Sequence, residues 1–494
     1  MASFLLGIDS GTTNLKVGVY DPAGNEIALR SHPTPVRTGP DGGAEFEPEA
    51  IWRALGSVLA HVPAAILRQV SAVSISSFAE TVYPLDAQSR PLAAGLAWYD
   101  RRPVRETDEL EQMLQEVPVR TITGLDLFWM LSLPKIQWFR HTHPDRYRSV
   151  RMWLDNAGYL LMRLGAEPAM TYSFASRTLL FDIWKSEWSQ PILGAAGIPP
   201  ETLPRLVPSG TCVGAVTAEG ARATGLPRGA RLVSGGHDHL CAALATGVTG
   251  SGQILDSTGT SCSVLAALET GGQAATAAAR ERFCLGRHVV PTAFYLLQGL
   301  VTGGYVLDWF VHQLTEFTET PDWTCLFARE SDPFFVPYLR GSERGPSSAA
   351  LVGLRDVHDG RRGLWAAVEA IAFEMRTLVA QLSRIVDTTG WVVRAVGGAT
   401  KNPALLQAKA DVLGRRIEVP AGREAACRGA ALLAGVGSDA YADFDEAGRR
   451  TLRIGAVYEP DSERCALMER RYRIYRRLVQ AYDDFEDRVL SASD

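Results

Sequence analysis

The chain opens on a continuous apolar run at residues 4–8, then polar Asp9-Ser10-Gly11-Thr12-Thr13-Asn14, then apolar alternation over 15–20, then Asp21-Pro22-Ala23-Gly24-Asn25. β-prone runs bounded by turn residues predict strand, turn, strand, turn and a further strand. Residues 31–48 are rich in proline and glycine and are expected to be irregular. Ile51, Leu55 and Leu59 recur at helical spacing, so a helix is expected over 48–59. The β-branched run at 70–76 predicts a central strand, and helices are expected over 102–116, 131–141 and 154–164. Residues 202–229 predict short β segments. A strand at 231–234 leads into Gly235-Gly236-His237-Asp238, with a small-residue helix over 242–247. The glycine break at 250–252 places a domain boundary near 248, giving domains 1–248 and 249–494.

Just past the midpoint the opening pattern recurs. Leu5-Leu6-Gly7-Ile8-Asp9-Ser10-Gly11-Thr12-Thr13 is matched by Gln253-Ile254-Leu255-Asp256-Ser257-Thr258-Gly259-Thr260-Ser261. Each is a strand, Asp-Ser, a Gly-Thr turn and a returning strand. Two similar α/β halves are expected, each presenting its turn to one central cleft. Helices follow over 303–314 and 364–386. A strand at 392–396 ends in Gly397-Gly398-Ala399 before a helix from Pro403, and a charged, Tyr/Arg-rich helix over 463–489 is expected to pack on a core face.

Composition narrows the function classes. The 494 residues are 46% hydrophobic with a formal charge of −5, which excludes intrinsic disorder. Lys and Arg number 50 against 55 Asp and Glu, so no basic excess exists for nucleic acid. No apolar window reaches the length of a membrane span. The start MASFLLGIDSGTT has no basic n-region and reads as a strand, not a signal peptide. Seven cysteines, without metal-type spacing, are expected to be buried free thiols of a cytoplasmic protein.

Of the 46 glycines, Gly7, Gly11, Gly235, Gly236, Gly259, Gly303, Gly304, Gly397 and Gly398 sit at expected strand ends and turns. Glycine lets backbone N–H groups approach phosphate, and threonine adds hydroxyl donors. Gly11, Thr12 and Thr13, with Lys16 as a cation, suit that task, as do Gly259 and Thr260. Each is also compatible with an ordinary hairpin turn. Bare backbone at Gly397-Gly398 suits a flat adenine ring, or a plain strand-to-helix turn. No GxxxxGK[ST] string and no GxGxxG after the first strand occurs, so neither a Walker A loop nor a dinucleotide fingerprint is present.

Three carboxylates end strands. Asp238 is suited to accept a proton from an attacking hydroxyl, or to cap a helix. Asp9 is suited to hydrated Mg²⁺, or to an Asx turn. Glu80, after Ser76-Ser77-Phe78-Ala79, is suited to bonding a polyol, or is a surface acid.

In order along the chain stand GIDSGTTNLKVGVYD, SSFAETVYPLD, LAWYDRRP, GGHDHLCAALATG, DSTGTS, GGYVLDWF, VPYLRGSERGP and AVGGATKNPALLQAKADVLG, continuing to AACRGAALLA. This ordered set resembles the FGGY carbohydrate kinases from Gly7 to about Val436. The resemblance implies two ribonuclease-H-like (actin/hexokinase-type) domains around a catalytic cleft, with ATP and Mg²⁺ as cofactors. It implies Asp238 as general base and Asp9 as the Mg²⁺ ligand. Gly11, Thr12, Thr13 and Lys16 would form one phosphate loop, Gly259 and Thr260 the other. Gly304 and Asp308 match positions near the nucleotide, and Gly397, Gly398 and Asn402 the adenosine pocket. Phe78, Ala79, Glu80, Trp98, Asp100 and His239 fall where relatives meet the sugar. A small sugar or polyol is the implied partner, a homodimer the implied assembly, with neither nucleic acid nor membrane.

Glycerol kinases carry Arg-Glu where this chain has Ala79-Glu80, and xylulokinases carry Met-His. His237 and His239 flank Asp238 where many relatives have small or amide residues. A pentulose is the leading acceptor, with tetrulose, hexulose, alditol and aldonate behind it. The rival readings are an actin-like ATPase module, a nicotinamide-dependent dehydrogenase, which lacks its glycine fingerprint, and a pseudokinase, which Asp9, Thr12, Asp238 and Thr260 argue against.

Overall fold

The apolar run at the N-terminus forms the strand Phe4–Ser10, nearly all of it buried, as expected of a strand covered on both faces. It belongs to a computed structural model that describes residues 3–39, 42–259, 261–300, 303–314, 328–339, 341 and 348–489. The chain divides into two compact units. One comprises Met1–Gly250, Ala267–Leu296 and Gly422–Leu452, the other Ser251–Ala266, Leu297–Ala421 and Arg453–Asp494.

The first unit is built on a six-stranded sheet. Its order is Cys212–Ala215, Arg231–His237, Val70–Ser77, Phe4–Ser10, Asn14–Tyr20, Glu26–Pro33. Val70–Ser77 is central and parallel to both Phe4–Ser10 and Arg231–His237. Asn14–Tyr20 returns antiparallel, placing Asp9 opposite Lys16. The helix Ala425–Val436 lies against the first strand. At Gly7 a Cβ would stand 2.0 Å from the Cys427 carbonyl oxygen, so only glycine admits this approach. Gly235 is likewise a packing glycine, its Cβ position 1.7 Å from the Ile75 carbonyl oxygen.

In the second unit Gln253–Thr258 pairs parallel with Val392–Val396, which pairs parallel with Ile417–Pro420, and Ile454–Tyr458 closes that edge antiparallel. Helix Gly360–Ile385 supplies the largest single share of a core that includes Phe310, Phe335, Trp365 and Phe373. The Tyr/Arg-rich helix Ser462–Val489 packs on it through Met468, Tyr475 and Val479. Its Arg471 is buried and forms two 2.6 Å bonds to the Glu369 carboxylate, which explains an arginine within an apolar face.

Several expectations are corrected. Residues 31–48 are not wholly irregular: they hold the end of Glu26–Pro33 and two short strands, Arg37–Thr38 and Ala44–Phe46, that pair with each other. The helix expected over 242–247 is Asp238–Ala245, because Asp238 itself opens the first turn. Residues 202–229 include the helix Ala218–Thr224, capped by the Thr217 side chain. Cys212 is exposed, and Cys284 and Cys465 are half-buried. Cys325 lies outside the described residues. Among the described residues no helix is long and apolar enough to cross a membrane.

Candidate active site

Strand register assembles the first unit's carboxylates. In the parallel strands Asp9 stands level with Ser76, and Ser76 with Gly236, so Asp9 and Asp238 emerge at one sheet edge. Asp9 is buried, and Ser76 Oγ donates to its Oδ1 at 3.2 Å. Its Oδ2 accepts no hydrogen bond among the described residues. Lys16 Nζ is 3.9 Å away and bonds Glu424 at 2.5 Å instead. Burial pushes the Asp9 carboxyl up to about 7, Lys16 opposing and the Asp238 charge adding to the rise. Asp238 opens the helix Asp238–Ala245 and accepts from the His239 N–H at 2.6 Å. Burial raises its carboxyl too, His239 opposing and Glu80 adding. His237 lies 3.2 Å from Asp238 Oδ1 through Nε2, and burial holds its ring well below the usual imidazole range, hence neutral. The ligand atoms of His237, Asp238 and His239 lie within 4.8 Å of one another, a spacing and donor set that a borderline divalent cation such as Zn²⁺ could bridge.

The phosphate-type turn in this unit is pinned from both sides. Gly11 N–H bonds the Asn14 carbonyl at 3.1 Å, and Thr34 donates to the Gly11 carbonyl at 2.6 Å through its hydroxyl. Trp98 Nε1 donates to Thr12 Oγ1 at 2.9 Å, tying the expected sugar element to the turn, while Thr13 is exposed. The Asp100 carboxylate is engaged by Arg102 and the Ala44 N–H, which holds the Trp98 segment in place. Burial opposes its charge, but the Arg102 and backbone bonds outweigh it and hold the carboxyl low. The Phe78 ring is stacked on Phe46 at 4.4 Å and Ala79 is buried. Glu80 is neither a surface acid nor free: it is buried and bonded to Arg177.

In the second unit Asp256-Ser257-Thr258 runs level with Ala395 and Val396, so Gly259 and the Gly397-Gly398 pair leave the sheet at one end. Gly304 N–H bonds the Gly259 carbonyl at 2.8 Å, which links the second turn to the helix Gly304–Leu314. Gly397 has φ 94°, and a Cβ there would lie 2.5 Å from the Thr258 carbonyl oxygen. Gly398 is exposed, with nothing within 4 Å of its Cβ position. Asn402 caps the helix Pro403–Leu413 through its oxygen, accepting from Leu405 N–H at 3.0 Å, while its buried Nδ2 has no partner among the described residues. Open backbone at Gly398 and an unpartnered amide donor at Asn402 fit a nucleotide base or ribose. Asp308 is exposed, and Thr260 lies outside the described residues.

Sequence reasoning did not find Glu424, Arg177, Lys135, Lys409 or Asn156. Asn156 donates to Ser10 and Ser77 at 2.8 Å beneath the carboxylate edge. Lys409 is fully buried against Asp256 at 2.6 Å. No local pattern marks Glu424, Arg177, Lys135 or Asn156, whereas Lys409 interrupts the apolar, buried face of the helix Pro403–Leu413.

The N-terminal domain of the FGGY family of carbohydrate kinases matches residues 4–245, and its C-terminal domain matches residues 256–438. A xylulose kinase of Bacillus subtilis strain 168 is 26% identical, over 99% of each chain. A glycerol kinase of Trichlorobacter lovleyi is 30% identical, over 95% of this chain and 97% of its own. The crystal structure of xylulose kinase from Rhodospirillum rubrum superposes with a TM-score of 0.88 at 25% identity, covering 98% of this chain and 99% of that one.

Proposed function

The chain belongs to the FGGY family of carbohydrate kinases, and we propose that it transfers the γ-phosphate of ATP to a hydroxyl of a pentulose. The observation that carries the reading is Asp238: a partly exposed carboxylate at a sheet edge, raised by burial, with Asp9 and Glu80 close enough to act on it or on its neighbours. A base of that kind takes the acceptor's proton as its oxygen attacks phosphorus. Proton transfer is most effective when the base titrates near the working pH, and burial moves the Asp238 carboxyl upward from the usual aspartate range.

Asp9 suits Mg²⁺, since its Oδ2 accepts no hydrogen bond among the described residues and a hard cation prefers carboxylate with retained waters. Bound there, Mg²⁺ would neutralise charge on the transferring phosphate. In the turn that Gly11 closes through its bond to Asn14, Thr12 would offer its hydroxyl proton beside it, the hydroxyl oxygen accepting from Trp98. Glu80, His239 and Trp98 would hold the acceptor. On the second unit, Gly259, Gly397, Gly398 and Asn402 would hold the nucleotide. Pentulose leads because a close match is named a xylulose kinase and because Ala79 stands where glycerol kinases carry arginine. The test is an ATP-coupled assay across ketoses, alditols and aldonates. A pentulose should give the highest kcat/KM, and a higher value for an alditol or aldonate would overturn the pentulose assignment.

A further inference from the structure

Glu80 has φ 64°, a left-handed conformation uncommon outside glycine and costing on the order of 1 kcal/mol or more. Side chains from two distant segments hold it there. Ser132 Oγ and Lys135 Nζ, in the first turn of the helix Ser132–Thr142, donate to its carbonyl at 3.1 and 3.2 Å. Arg177 Nε donates to its Oε1 at 2.6 Å. The Arg177 and Glu80 side chains are only 8% and 7% exposed, so this ion pair is scarcely screened by solvent. The Cys284 thiol and the Tyr295 phenol lie near the guanidinium. Glu80 Oε2 accepts no hydrogen bond among the described residues, and the carboxylate lies near enough to Asp238 to raise it.

We propose that Arg177 is a positioning residue for the acceptor: by fixing Oε1 of Glu80 it presents Oε2 in one orientation, beside Asp238, to an acceptor hydroxyl. Without the guanidinium the buried carboxylate would lose the only cation bonded to its oxygens among the described residues, keeping Lys135 on its carbonyl alone, and would be free to rotate. That rotation weakens its bond to a hydroxyl. A carboxylate held at one oxygen enforces a single acceptor pose, and misplacement of the acceptor by about 1 Å is enough to lower turnover. This inference rests on the kinase reading above.

The experiment is steady-state kinetics on Arg177→Met, Arg177→Lys, Glu80→Gln and the double variant Arg177→Met/Glu80→Gln, using the acceptor that the wild-type chain phosphorylates best. Arg177→Met should raise the acceptor KM about 10-fold or more, with the ATP KM changed less than about two-fold. Arg177→Lys should recover part of the loss. In the Glu80→Gln background, Arg177→Met should add less than about two-fold, because its effect passes through Glu80. If Arg177→Met fails to fold, the double variant, which removes both charges of the buried pair, and Arg177→Lys carry the comparison. An acceptor KM within about two-fold of wild type in Arg177→Met, or effects of Arg177→Met and Glu80→Gln that multiply fully, overturns the proposal while the kinase reading stands. A wild-type chain that phosphorylates no acceptor overturns the kinase reading, and this proposal with it.

Discussion

Lys409 bonds the Asp256 carboxylate at 2.6 Å, both side chains shut away from solvent, whereas Asp9 has its lysine, Lys16, no nearer than 3.9 Å. The two aspartates occupy matching places in the repeated strand–turn–strand pattern. One carboxylate is therefore neutralised within the fold and anchors its turn, through Thr258 as well. The other remains available to a cation.

Lys409→Met should destabilise the second unit by about 3–5 kcal/mol, because it strands a buried carboxylate. The double variant Asp256→Ser/Lys409→Met should recover most of that loss. Urea unfolding of the three proteins checks this, and a double variant no more stable than the single one contradicts it.

Asp238→Asn should lower kcat by about 10² or more while nucleotide affinity, read by titration, is roughly kept. Burial raises the Asp238 carboxyl, so the wild-type rate should fall with acidity from a pH above the usual aspartate range. Near-normal turnover in the variant would sink the assignment of Asp238 as base.

Asp9→Asn should abolish most Mg²⁺-dependent activity yet stabilise the fold. The native carboxyl titrates at about 7, above its ordinary value of 3.8, so between those values the native state holds more protons than the unfolded state. Its burial therefore favours the fold least at high pH. The variant's gain in Tm should be largest at pH 8 and shrink toward pH 5. A gain that is flat or reversed with pH would show that the carboxylate is not strained by burial.

Gly397→Ala and Gly398→Ala should part company. At Gly397 a methyl meets the Thr258 carbonyl oxygen at 2.5 Å with φ 94°, so a loss of roughly 1–3 kcal/mol is expected. At Gly398 the space is open, so stability should hold within about 0.5 kcal/mol while the ATP KM rises several-fold. An unchanged ATP KM in Gly398→Ala would remove that glycine from the nucleotide site.

Much of the local structure was legible before the fold. The strand Val392–Val396 and the helix from Pro403 follow from a β-branched run and a proline suited to a first helical turn. The site was legible only where its chemistry sits in a turn, as at Asp9–Thr13 and Gly235–Asp238. Gly7 and Gly235 illustrate the failure. They read as glycines for a ligand, but the structure uses them to let a helix and a strand approach. A glycine's neighbours across the fold are absent from its neighbours in sequence.

What the sequence determined by itself was the two-fold α/β pattern, the turns with their Gly, Thr and Asp residues, and through them the kinase family. These depend on residues within a few positions of one another, where propensity and period decide. What only the tertiary structure decided was which charges are paired. Glu424 reaches Lys16, Arg177 reaches Glu80 and Lys409 reaches Asp256 across 408, 97 and 153 residues. A charge's pairing is set by what burial brings within about 3–4 Å of it, and no periodicity along the chain encodes that distance.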